Sequence, residues 1–240
     1  MKYFSSQYVI TNSGPPLKRA VITADDDGTI INIEDTNGLL SEKQSVEFHN
    51  GIIIPGFVNC HCHLELSNLK GLITESSGLA DFIKQVRNTR EEKNDIILSS
   101  IESADSAMYN EGIVLCADVC NTSITFGIKN KSRISYLNLL EVFGIDPEKA
   151  VKRMDELAKL AHSAREMNLS FFMVPHSAYS ISQSLFRLLK AKSGENKVTS
   201  VHFMESLGEK KILDHIGLDR LFLLLSPTER REIKRRLENP

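Results

Sequence analysis

The sequence has no run approaching the roughly 18 consecutive apolar residues that a membrane-spanning helix needs. Its opening residues, MKYFSSQYVI, lack the long apolar stretch and small-residue cleavage site of a secretory signal. The formal net charge is −2, with no broad basic face to suit nucleic acid. Four cysteines in 240 residues make no disulfide framework. No glycine-rich phosphate loop follows any predicted strand, which disfavours a nucleotide-phosphate site. What is left is an ordinary globular composition, read as a cytoplasmic enzyme or binding protein with no nucleic-acid or membrane partner.

Residues 2–50 read as short strands: YVIT, AVITA and TIINIED are rich in β-branched residues, and DDDG at 25–28 is a plain turn. After residue 51 strand-like and helix-like runs alternate. GIIIPGFVNCHCH is the first strand, read as buried, and helical spacing follows from about Leu79 to Asn110. GIVLCADVC and RISYLNLLEV are the second and third strands. A helix then starts at Asp146 and Pro147, an N-cap followed by a first-turn proline. LSFFMVPHS is the fourth strand, a helix runs to Gly194, and KVTSVHFMES is the fifth strand. Such alternation predicts an α/β fold with a parallel sheet or barrel. The last stretch holds an apolar run, LDRLFLLLS, and a charged helix from Ser226 whose basic stripe is read as a solvated face.

Histidine is scarce, yet His61 and His63 close the first strand, His176 the fourth and His202 the fifth. Carboxyl ends of parallel strands build active sites. Alternation along a strand sets His61 and His63 on one face. His61, His63 and His202 offer three nitrogens for a catalytic zinc or iron, which keeps an open position for water. Glu205, three residues past His202, is placed to move a proton as an acid/base. Cys60, Cys62, Cys116 and Cys120 lack C-x₂-C spacing and are read as small core hydrophobes. His49 and His162 are read as structural or exposed.

PGFVNCHCHLELSNLKG, VPHSAYSIS and SVHFMES resemble, in order, three motifs of the amidohydrolase superfamily. The branch is that of cytosine deaminases and chlorohydrolases, and HCHLEL is most similar to its aminofutalosine-deaminase-like members. The resemblance covers about residues 1–210. It implies a small N-terminal β-sandwich segment (1–50), a partial (β/α) TIM-type barrel of about five strands (51–210), and a C-terminal segment (211–240). It implies one divalent metal on His61, His63 and His202, zinc before iron, with His176 contacting substrate. Glu205 protonates a ring nitrogen while metal-activated water attacks the carbon bearing the leaving group. Glu65, just past the HxH, is placed near the mouth as a substrate contact. The implied reaction is hydrolytic deamination of an amino-purine-like ring.

The family continues through strands six to eight, with a further histidine and a metal-binding aspartate. This sequence stops soon after strand five. The expectation is therefore a C-terminally truncated chain that self-associates. The alternative is a catalytically impaired metal-binding or interaction protein.

Overall fold

The fold was analysed in a computed structural model, which describes residues 1–40, 45–75, 79–88, 94–194 and 196–216. The apolar run and charged helix expected beyond residue 216 lie outside the described residues. Two compact units divide the chain, Met1–Phe57 and Val58–Pro240.

The first unit holds strands β1 (Lys2–Val9), β2 (Leu17–Lys18), β3 (Val21–Ala24), β4 (Ile30–Glu34) and β5 (Val46–Ile53). They form one sheet in the order β2-β1-β3-β4, with β5 added parallel to β1. Val9, Ala20 and Ile22 make its buried core. The acidic run is a turn: Asp25 and Asp27 carboxylates both accept the Thr29 N–H, at 2.8 and 2.9 Å, and Gly28 takes φ 92°. A left-handed backbone there favours glycine.

The second unit contains β6 (Phe57–Cys62, its first residue in the preceding unit), α1 (Leu79–Asn88), α2 (Asn94–Asn110), β7 (Ile113–Cys120) and α3 (Phe126–Lys129). It continues with β8 (Ser135–Val142), α4 (Ala150–Glu166), β9 (Phe171–Pro175), α5 (Gln183–Lys192) and α6 (Leu207–Ile216). The sheet order is β6-β7-β8-β9, and β7, β8 and β9 run parallel. β8 is buried along nearly its whole length, as an interior parallel strand must be when both faces are covered. Leu140 and Val142 face α4 and α5, meeting Leu157, Ala161, Leu185 and Leu189. Leu139 points the other way, into a cluster with Val119 and Val174. The Asp146 side chain accepts the Glu148 N–H ahead of Pro147, and Ser182 caps α5 through the Leu185 N–H.

Three strand expectations need correction. The run GIIIPGFVNCHCH is two strands: Gly51–Ile53 ends β5 in the first sheet, and β6 carries His61, with His63 just past its end. Pro55 lacks the N–H that a continuous ladder requires. Nor is β6 buried, since Phe57 and Val58 are each 54% exposed on a strand paired on one side. The fifth strand is reduced to a single parallel bridge, Ser177 to His202. The carbonyl of Met173, which a neighbouring strand would have used, instead accepts Asn196 Nδ2 at 2.8 Å. The helical region 79–110 is two helices, α1 and α2, with residues 89–93 outside the described residues.

Beneath the carboxyl end of β7 lies a buried ion pair. Lys129 Nζ contacts the Asp118 carboxylate, and both side chains are fully buried. Nζ also donates to Asn138 Oδ1 at 2.7 Å and Cys120 Sγ at 3.0 Å. Burial pulls the lysine toward neutrality, but Asp118 and Cys120 together outweigh it and the pKa is raised. Lys129→Ala strands a buried carboxylate and is expected to cost about 3–5 kcal/mol. Urea unfolding followed by circular dichroism measures this; a loss below about 1 kcal/mol contradicts it.

Candidate metal centre

The histidines at the strand ends converge. His61 is the penultimate residue of β6 and His63 lies just past the strand end, separated from it by Cys62, whose side chain points the other way. Their Nε2 atoms stand 3.2 Å apart. The His202 ring reaches both, with centroids 4.8 Å from His61 and 5.1 Å from His63. One ligand atom from each of the three lies within 4.8 Å of the others. Two nitrogens bound at about 2.0–2.1 Å to one tetrahedral cation stand roughly 3.3–3.4 Å apart, so the His61–His63 spacing fits a metal.

His202 is fixed from three sides. Its backbone N–H donates to the His176 carbonyl at 2.7 Å. Its Nδ1 lies 2.7 Å from Glu205 Oε1. Its buried Nε2 stands 3.3 Å from Glu141 Oε1 with no aligned hydrogen bond. The Glu141 carboxylate raises the His202 pKa to about 9, against burial, with Glu205 acting in the same direction. Nε2 thus faces a carboxylate, a setting that favours positive charge between the two.

His176 follows β9, its Nδ1 2.9 Å from Ser180 Oγ. The Phe143 and Tyr179 rings flank it, at centroid distances of 5.8 and 6.2 Å. Burial pulls the pKa of His176 down despite the opposing charge of Glu141. Burial and the neighbouring His202 likewise depress His63. Both imidazoles are thereby kept as neutral donors, the form a metal or a substrate hydrogen needs.

Glu65 is nearly buried, and its Oε2 accepts three hydrogen bonds. They come from Asn121 N at 3.1 Å, Thr122 N at 3.0 Å and Thr122 Oγ1 at 2.9 Å. Burial raises its pKa although these donors oppose the shift. The side chain ties the segment after His63 to the loop after β7. The adjacent Leu64 N–H donates to Asp118 Oδ1 at 2.7 Å, so the Lys129–Asp118 pair also anchors the histidine strand end.

Glu141 is the residue that the sequence reading missed. It sits near the end of β8, with its side chain 3% exposed, and Asn121 Nδ2 donates to its Oε2 at 2.9 Å. Burial raises its pKa, but His202, His176 and Asn121 outweigh this and the net shift is downward. The signal was present: a carboxylate inside the apolar run LNLLEV, at a strand end like the histidines.

The remaining candidates lie apart from this cluster. His49 stacks on Phe4 in the first unit, and exposed His162 pairs with Glu166. Cys116 and Cys120 are buried, their thiol pKa values raised chiefly by a hydrogen bond with Cys62 in the first case and by burial in the second. Cys60 is exposed, contrary to a core role. Among the described residues no cysteine joins a metal-ligand group.

No protein-family model matches the chain. An adenosine deaminase of Helicobacter pylori is 22% identical over 188 residues, covering 76% of this chain and 46% of that protein. The structure of H. pylori aminofutalosine deaminase with methylthio-coformycin superposes with TM-score 0.70 at 19% identity. The match covers 88% of this chain and 53% of that one. The zinc complex of Arthrobacter aurescens atrazine chlorohydrolase TrzN gives TM-score 0.71 at 16% identity, over 90% and 55% of the two chains. The chain spans about half the length of these proteins. In sequence the chain is similar to proteins named as adenosine and aminodeoxyfutalosine deaminases, and it shares the fold of the two solved structures.

Proposed function

We propose that this chain carries the metal-binding half of a hydrolase acting on carbon–nitrogen bonds outside peptides, with hydrolytic deamination of an amino-purine-like ring as its reaction. The observation that carries the reading is the convergence of His61, His63 and His202 from separate elements, with Glu205 on His202. In this reading β6 to β9 and the His202 bridge are successive units of a (β/α) barrel, and residues 1–50 belong to an accessory β-sandwich. The TM-scores of 0.70 and 0.71 support that architecture. The relatives named as deaminases support the reaction class.

The three histidines suit a divalent first-row metal, and the zinc bound in the TrzN structure supports zinc first. When bound, such a cation supplies the Lewis acidity that activates water for attack. The chain's own residues do the rest. Glu205 is half exposed, so one carboxylate can hold His202 Nδ1 and still meet substrate at the rim. It takes one proton from the attacking water and passes it to the ring nitrogen as the water oxygen adds to the amine-bearing carbon. The C–N bond then breaks and the nitrogen leaves as ammonia, with the second proton of the water completing it. Neutral His176 offers Nε2 to the ring, beside the aromatic walls of Phe143 and Tyr179. Glu65 acts as a substrate contact only through the oxygen not engaged by the loop.

A second reading, metal binding without turnover, draws on the same Glu205 contact: a carboxylate committed to His202 is less free to shuttle protons. Ammonia release from amino-purine nucleosides, with zinc added, separates the two. Glu205→Gln is expected to retain metal and to lose roughly 10²–10⁴-fold in kcat. No ammonia above background from the unaltered chain contradicts deamination, and metal retained without turnover favours the second reading.

We also propose self-association through apolar side chains left exposed on β6 and β7. Val58, Val114 and Leu115 are 54%, 45% and 39% exposed, with Val114 and Leu115 on opposite faces of β7. Light scattering is expected to give a mass above the 26.9 kDa of one chain; a monodisperse monomer contradicts this.

A further inference from the structure

His202 belongs to a second group of potential ligands. One atom each from Glu141, His176 and His202 lies within 4.8 Å of the others. Each of these side chains is oriented by a partner on its far atom. Asn121 Nδ2 holds Glu141 Oε2, which leaves Oε1 toward His202. Ser180 Oγ donates to the Ser177 carbonyl and accepts from Ser177 Oγ. Its remaining lone pair therefore takes a proton from His176 Nδ1, and His176 presents a bare Nε2. Glu205 takes the proton of His202 Nδ1, so His202 also presents Nε2, buried and without an aligned hydrogen bond. Outer hydrogen bonds that fix tautomer and aim are what metal-ligating imidazoles and carboxylates characteristically have.

Charge points the same way. The Glu141 carboxylate is 3% exposed, and His202 is the one basic side chain in ion-pair range of it among the described residues. A buried carboxylate needs a positive partner, which is protonated His202 in the absence of metal and a cation held with His202 when one binds. From these contacts we propose that Glu141, His176 and His202 form a second position for a divalent first-row cation, distinct from the His61–His63–His202 triad. The two positions are alternatives, because His202 has a single free nitrogen once Nδ1 is given to Glu205. The set of one carboxylate oxygen and two imidazole nitrogens accepts zinc, cobalt, iron or manganese, and is harder than the all-histidine triad. With the cation in the first triad, Glu141 and His176 are released to face substrate. The inference rests on His202 being a metal ligand, as the proposed function does.

Co²⁺ is the ion to use, since its visible absorption reports ligand number and type. The full chain and the double variant His61→Ala/His63→Ala are titrated with Co²⁺ by equilibrium dialysis and absorption. The double variant is expected to bind about one Co²⁺ per chain with an altered spectrum. Adding Glu141→Gln, or separately His176→Ala, is expected to weaken that binding at least tenfold, with far-UV circular dichroism confirming each fold. A double variant that is folded and binds no Co²⁺, while the unaltered chain does, overturns the second position and leaves the proposed function standing. Binding in the double variant that survives both added substitutions also overturns it. An unaltered chain that binds no Co²⁺ overturns both readings.

Discussion

The arrangement of the site depends on how one imidazole is held. His202 sits on an edge with a single ladder contact, so its main-chain position rests on one N–H···O bond to His176. Its ring would be free to turn on such an edge. Glu205 at Nδ1 and Glu141 opposite Nε2 remove that freedom. Two carboxylates around one buried imidazole form an electrostatic trap that favours positive charge between them. A proton satisfies it in isolation; a divalent ion satisfies it better, because it also engages nitrogens of His61 and His63.

The opposite wall is held by different physics. The histidine strand end is anchored through its neighbours: Leu64 by Asp118, and Glu65 by the loop after β7. Asn121 links this wall to the other, since its backbone N–H binds Glu65 and its side chain binds Glu141. A single residue thus ties the segment after His63 to the carboxylate that faces His202. Below it, the Lys129–Asp118 pair is closed off from water and shares Asn138 and Cys120. Polar groups buried this fully are stabilising only when every partner is present, which makes the base of the site rigid.

Periodicity and strand ends made much of this legible in the sequence. The alternation of strands and helices after residue 51 appears as β7, β8, β9 and their helices, and the strand-end histidines meet in space. Less legible was what depends on pairing partners distant in sequence. The break at Pro55 splits one apolar run between two sheets. Asn196 binds the Met173 carbonyl where a fifth strand would pair, a contact no local pattern reveals. Glu141 and Asp118 were passed over because single acidic residues in apolar strands carry no motif. Their roles follow from partners at positions 121, 129 and 202. Glu65 was legible as a residue near the HxH; its three donors come from a loop more than fifty residues away.

The most direct test of the account is metal content. His202 is common to both ligand groups, so elemental analysis of the purified chain and of His202→Ala addresses the whole site at once. About one zinc or other divalent first-row ion per unaltered chain, and none in the variant, is the expected result. Equal metal in both, or none in either, contradicts the claim that this cluster is a metal centre.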